Sequence, residues 1–144
     1  MIIRTSWLYS EFGHNFLKTM LRLGNEKKSI NVVNDQIGIP TYTLDLAKMI
    51  IKLIDANINI DSKTNIFHFS NSGKSNWFEF AKEIMKIAEL DCDVLPIPTS
   101  SFPTPAQRPK FSILNSEKIE RLLNIKIRPW QDALNECINT IKEV

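Results

Sequence analysis

Glycine is scarce in this sequence. Four occur in 144 residues, at Gly13, Gly24, Gly38 and Gly73, where average usage would give about ten. They stand 11, 14 and 35 residues apart, so no glycine-rich loop that cradles a nucleotide phosphate can be assembled from them. The chain alone is therefore expected to bind no dinucleotide. Cysteine is sparse too. Cys92 lies between two aspartates and Cys137 falls on the apolar stripe of a helical pattern. Without close His or Cys neighbours they make neither a disulfide framework nor a metal site, and they read as reduced cytosolic thiols. No stretch approaches the roughly 20 apolar residues of a membrane span. Met1 leads straight into Ile2-Ile3-Arg4-Thr5 with no charged leader, which gives a cytoplasmic expectation. An excess of one charge is missing as well. Residues 1–72 hold 8 basic and 6 acidic side chains and residues 73–144 hold 10 of each. That argues against a nucleic-acid stripe or a polybasic membrane patch.

What is present is an ordinary soluble composition, 43% hydrophobic and 24% charged, in a length that suits one domain. Short apolar runs alternate with helical patterns, the signature of α/β organisation. Residues 2–5 and Leu8-Tyr9 read as a buried strand entering a loop. Asn15 to Leu23 reads as a helix, with Gly24 as its C-terminal residue. A strand over 30–33, a loop over 35–42 and a helix from Thr43 to Ala56 follow. That helix is apolar on both sides (Ile50, Ile51 and Ile54 on one, Met49 and Leu53 on the other), which predicts packing between layers. Residues 57–65 are polar and turn-like. A strand over 66–69 precedes a helix capped at Ser75 or Asn76, where Glu79 completes a capping box. Residues 94–98 can only form an edge strand or an extended segment, because prolines donate no ladder hydrogen bond. Five of the seven prolines fall between Pro96 and Pro109, and a tethered loop of that kind is usually functional. A short helix over 116–123 and a final helix opened by Pro129 complete the chain.

Three stretches offer binding chemistry. Asn34 to Thr41 lies between a strand and a helix start, where open α/β sheets place their ligands. Gln36 there carries donors and an acceptor, although a plain turn with Asp35 as a local cap explains the same residues. Trp7, at the end of the first strand, can wall a pocket by stacking or serve as core. Arg108, fixed behind prolines, suits bidentate phosphate binding, with a surface ion pair as the alternative. Asn15 at a helix start either supports an anion or caps the helix. His14 and His68 are isolated, and His68 reads as a structural hydrogen-bonding residue. No nucleophile arrangement, useful carboxylate pair or metal-ligand spacing occurs, so no catalytic residue and no metal ligand is assigned.

Taken in order, Arg4-Thr5-Ser6-Trp7-Leu8-Tyr9, Asn15 to Met20, Asp35 to Thr41, Trp77 to Ala81, Ala106-Gln107-Arg108-Pro109 through Leu114, and Pro129-Trp130 resemble the dTDP-4-dehydrorhamnose reductases. These belong to the extended short-chain dehydrogenases. The resemblance covers essentially all of this chain but only the C-terminal half of the family's. It implies an α/β fold of a few short, partly parallel strands with about five helices. It also implies that residues 1–144 form a single substrate-binding domain without the N-terminal dinucleotide-binding half. The family's glycine fingerprint, its Tyr-x-x-x-Lys pair and the accompanying Thr/Ser belong to that other half. Here Tyr9 and Tyr42 are followed four residues later by Gly13 and Leu46.

By this resemblance the whole enzyme uses NADPH or NADH to reduce the 4-keto group of a dTDP-sugar for cell-envelope polysaccharide. Trp7 would wall the sugar, and Asn15, Gln36 and Arg108 would contact sugar and pyrophosphate. The backbone around Thr5 and Ser6 would approach the nicotinamide. The isolated chain is expected to be inactive and to hold no cofactor of its own. A strand beginning at residue 2 with nothing upstream predicts an open sheet edge, and hence homo-oligomers through it. A second, different reading is a non-catalytic partner-binding subunit, resembling the regulatory subunit of methionine adenosyltransferase.

Overall fold

The computed structural model describes residues 1–56 and 65–143; the polar turn expected over 57–65 lies, apart from its last residue, outside the described residues. Parallel pairs dominate the strands. β1 (Ile2–Arg4) pairs with β6 (Ile66–His68), β2 (Leu8–Tyr9) with β5 (Thr41–Tyr42), and β3 (Ser29–Val33) with β8 (Asp93–Ile97), all parallel. β4 (Ile37–Gly38) and β7 (Ser75–Asn76) pair antiparallel. Five helices cover them: α1 (Phe16–Glu26), α2 (Thr43–Asp55), α3 (Trp77–Ala88), α4 (Glu117–Leu123) and α5 (Trp130–Lys142). This is the mixed α/β architecture that the alternation of patterns predicts. Among the described residues β8 pairs with β3 alone, with Pro96 opposite Val32, as an edge strand must.

Two cores hold these elements. In the larger, the apolar stripes of α1, α3 and α5 meet around Leu17, Phe80, Ile84, Leu134 and Ile138, each essentially inaccessible, with Ile30 and Val32 of β3. Burying one such side chain fully stabilises the fold by about 1.5–3 kcal/mol. The smaller joins Met49 and Leu53 of α2 to Phe67, Phe69 and Ile119, with Ile3 packed against them. The predicted capping box on α3 forms: Asn76 Oδ1 accepts from Glu79 N at 2.8 Å, and Glu79 Oε2 accepts from Asn76 N at 3.3 Å.

Several expectations change. The first strand is not buried: Ile3 turns inward while Ile2 is 48% exposed, because successive side chains face opposite sides of a strand and the smaller core lies on the Ile3 side. α2 is not packed between layers. Met49 and Leu53 are buried, whereas Ile51 and Ile54 are 58% and 62% exposed. α1 runs through Gly24 to Glu26. Gly24 is there for close approach, since a Cβ on it would stand 2.6 Å from Met85 Sδ on α3. The expected loop over 35–42 contains β4 and β5. Pro129 is the N-cap of α5 rather than its first helical residue. No hydrogen bond of the His68 side chain occurs among the described residues.

Candidate functional site

The parallel strands deliver their carboxyl ends to one set of loops, the usual ligand side of such sheets. β1 ends at Arg4 and passes through Thr5 and Ser6 to Trp7, which adopts a left-handed backbone (φ 48°). For a bulky residue that conformation costs about 1–2 kcal/mol and persists only where its surroundings enforce it. Here they do. Trp7 O accepts from Thr41 N at 3.0 Å. The indole lies on Trp77 with centroids 3.7 Å apart and planes at 14°. The same ring fills the space beside Gly38, where a Cβ would fall 2.5 Å from Trp7 Cε2 and 2.6 Å from Cζ2, over the ring's face. The glycine is therefore required by close approach.

Trp77 is held in turn. Its Nε1–H donates to Gln36 Oε1 at 3.2 Å, and Gln36 Nε2 donates to Thr99 Oγ1 at 3.0 Å. The Thr99 hydroxyl donates to Asp35 Oδ1 at 2.5 Å, and Thr99 N donates to the same oxygen at 2.9 Å. The hydroxyl hydrogen bond, helped by the backbone one, holds the Asp35 carboxyl below the usual carboxylate range. On its other side Trp77 meets Phe16 at the start of α1, with centroids 4.7 Å apart.

The expected site residues divide along these lines. Trp7 and Gln36 come together through Trp77, with both Gln36 polar atoms committed within the chain. Asn15 is committed as well: its Nδ2 donates to Ser10 O and Phe12 O (2.8 and 3.1 Å), and its Oδ1 accepts from Lys18 N at 3.1 Å. The helix-capping alternative describes that geometry. Thr5 Oγ1 and Ser6 Oγ are buried without a partner among the described residues. Arg108 sits in a wholly exposed segment over 100–111, and no ion pair involves it among the described residues. The ends of that segment are tied down. Thr99 holds one on Asp35, and the other is held by Ile37 N donating to Lys110 O and Ser112 N to Ile37 O, both at 2.8 Å. Arg108 thus rides on a loop stapled at both ends to residues 35–37.

Reading the sequence alone leaves out Trp77, Thr99 and Asp35 as site residues. Trp77 looks like a helix core residue, and its link to Gln36 spans 41 residues that no local pattern signals.

Two further clusters lie elsewhere. The Tyr9 and Tyr42 rings stack at 5.6 Å, and burial raises both phenols well above their ordinary range. Neither phenol ionises near neutral pH. Burial also pushes the Cys137 thiol beside them up to about 12. Arg128 joins Asp45 (2.8 and 2.7 Å) and Glu136 beside an open cleft of about 390 Å³. None of that cleft's lining residues belongs to the Trp7 site. Among the described residues no His, Cys, Asp and Glu cluster could hold a metal, and no helix is long and apolar enough to cross a membrane.

The model of the RmlD substrate binding domain matches residues 1–143. The chain is similar to the spore coat polysaccharide biosynthesis protein SpsK of Bacillus subtilis, 43% identical over 95% of this chain and 46% of that protein. It is similar in structure to the dTDP-4-dehydrorhamnose reductase of Bacillus anthracis in complex with NADP, with TM-score 0.84 and 44% identity over 96% of this chain and 47% of that one. The reductase orthologue of Clostridium acetobutylicum superposes with TM-score 0.89 at 39% identity, over 98% of this chain and 48% of that one. The chain spans about half the length of the relatives it matches.

Proposed function

Because the chain belongs to the family of RmlD substrate-binding domains, we propose that it is the part of a dTDP-4-dehydrorhamnose reductase that holds the dTDP-sugar. The reaction so implied reduces the 4-keto carbon of that sugar in cytoplasmic polysaccharide biosynthesis. A half-length match to reductases, one of them with NADP bound, supports this reading. The observation that carries it is Trp7: a half-buried indole in an enforced left-handed backbone, at the end of a parallel strand, where its exposed part can wall a sugar.

Among the four proposed sugar and pyrophosphate contacts, Trp7 and Arg108 take the direct ones. Arg108 offers a guanidinium without an ion pair among the described residues, on a tethered loop, suited to an anionic diphosphate. Gln36 and Asn15 act in support, since their polar atoms are already bonded within the chain. The partnerless hydroxyls of Thr5 and Ser6 fit a polar ring lying against the end of β1. A nicotinamide cofactor, NADPH or NADH, supplies the hydride there when bound. This chain's share is to orient the sugar and keep water from its apolar face. Proton donation falls to the dinucleotide-binding half, because Tyr9 and Tyr42 are buried and neither is followed four residues later by Lys. The open edge of β1 and the exposed isoleucines of α2 are the surfaces that half would cover.

Calorimetry with dTDP-rhamnose tests the reading. A folded chain should bind it weakly, in the millimolar range, and should oxidise no NADPH when given the keto-sugar nucleotide. No heat at millimolar ligand would remove the sugar-holding role, and turnover by the purified chain would overturn the division of labour between halves.

A further inference from the structure

Residues 100–111 are all exposed, and the two phenylalanines among them, Phe102 and Phe111, belong to neither core. The segment carries Arg108 and Lys110 and no carboxylate, and neither cation is ion-paired among the described residues. The hydrogen bonds that fasten its base go to three consecutive residues. Asp35 Oδ1 accepts from Thr99 N at 2.9 Å and from the Thr99 hydroxyl at 2.5 Å. Gln36 Nε2 donates to that hydroxyl oxygen at 3.0 Å. Ile37 N donates to Lys110 O, and Ile37 O accepts from Ser112 N, both at 2.8 Å. The same strip reaches Trp7. Gln36 Oε1 accepts from Trp77 Nε1, within the aromatic column Trp7–Trp77–Phe16–Phe80, and Gly38, next in sequence, lies against the Trp7 ring. Arg108 is two residues from Lys110, which limits their Cα separation to about 7 Å. Trp7 and the arm that carries Arg108 thus share one footing at residues 35–38. A loop that buries nothing gains no packing from being held, and ordering it costs conformational entropy. A cation that must stand at a set distance from a second contact does gain from it.

We propose that Thr99 and Asp35 are positioning residues: their hydrogen bonds latch the 100–111 arm to residues 35–37 and hold Arg108 at a set place relative to Trp7. The proposal rests on the sugar-holding reading above and adds to it two residues that never touch the ligand. A carboxylate acceptor makes such a latch stronger than a neutral pair. Released at Thr99, the arm would still be held at Ile37, but Arg108 would sample many positions and the diphosphate would have to order it on binding. The loss would therefore run through Arg108.

The test is a double-mutant cycle on the 144-residue chain, with dTDP titrated by NMR and each variant checked for folding by far-ultraviolet circular dichroism. Thr99→Val should weaken dTDP about fivefold, the order of one hydrogen bond's net worth, and Thr99→Ser should stay within about twofold of wild type. Arg108→Ala should weaken dTDP at least as much as Thr99→Val. In the Arg108→Ala background, Thr99→Val should change affinity by less than about twofold, because it acts through that arginine. Equal losses from Thr99→Val in both backgrounds, or no loss in either, would overturn the proposal. Asp35→Ala opens the latch from its other side and should match Thr99→Val; wild-type affinity in that variant would also overturn it. The heteronuclear NOE of the Gln107 and Arg108 amides gives a ligand-free readout. It should fall in Thr99→Val and hold in Thr99→Ser, and an unchanged value in Thr99→Val would overturn the proposal. A wild-type chain that does not bind dTDP would instead retract the sugar-holding reading, with the NOE still deciding the latch.

Discussion

The ring of Trp7 occupies the volume a side chain on residue 38 would need, with 2.5 Å between its Cε2 and the place of a Cβ on Gly38. The neighbour on that side is a rigid bicycle already pinned by Trp77, so it cannot yield by a simple rotamer change. Gly38→Ala should therefore cost about 1–3 kcal/mol in urea unfolding. It should also alter the indole bands of the near-ultraviolet circular dichroism. An unchanged midpoint would mean that Trp7 moves aside freely.

Arg128 links the smaller core's helix to α5, bonding Asp45 on α2 and Glu136 on α5, beside a longer direct ion pair of Lys48 with Glu136 at 3.9 Å. The Asp45 side chain is only 12% exposed and would keep Asn71 alone, at 2.6 Å. Arg128→Ala should destabilise the chain by about 1–3 kcal/mol, mostly from the carboxylate left without its cation. Adding Asp45→Asn should recover part of that loss in the same unfolding measurement.

Acid should loosen the site before it unfolds the chain. The folded Asp35 carboxyl titrates below its ordinary range because Thr99 donates to it. Its stabilising effect is complete above about pH 4, the range of an unfolded aspartate, and is lost as pH falls through the lower folded value. Amide exchange at Thr99 should rise over that window, and Asp35→Asn should abolish the dependence.

Cys137 is fully buried and its thiol is pushed up to about 12, chiefly by burial. The thiolate that reacts with maleimide is then almost absent at pH 8. Native protein should leave Cys137 unlabelled for hours and label it promptly in urea. Fast native labelling would show that α5 opens readily.

The open edge of β1 should drive self-association, since unpaired strand edges template further pairing. Sedimentation should show a concentration-dependent dimer that Ile2→Lys dissociates; a strict monomer at high concentration would count against pairing there.

Periodicity made the helices legible. Trp77, Phe80, Ala81 and Ile84 mark α3, and Asn76 with Glu79 mark its cap, because capping and amphipathic spacing act within one or two turns. Trp7, Gln36 and the stapled proline loop are visible as local composition at strand ends. Gly24 lies inside α1 and does not end it, a difference its sequence context cannot show, because helix-ending and close-packing glycines look alike until Met85, 61 positions away in the chain, is in place. Exposure of Ile51 and Ile54 could not be read either, since an apolar stripe states a need for cover and is silent about what supplies it. The Trp77–Gln36–Thr99–Asp35 chain depends on pairings more than 40 residues apart, which only the tertiary fold creates.

The two cores share no buried residue, and among the described residues the smaller holds five against seventeen in the larger. Two such units should melt with different cooperativity, the smaller by sub-global opening well below the free energy of complete unfolding. Trp7 falls at the seam, three residues after β1 of the weaker unit and two before Tyr9 of the stronger. Its ring is fastened to the strong unit and its incoming backbone to the weak one. Transient opening around β1 would then slacken the left-handed turn from one side while the aromatic column stays assembled, so the order of the site is set by the smaller core.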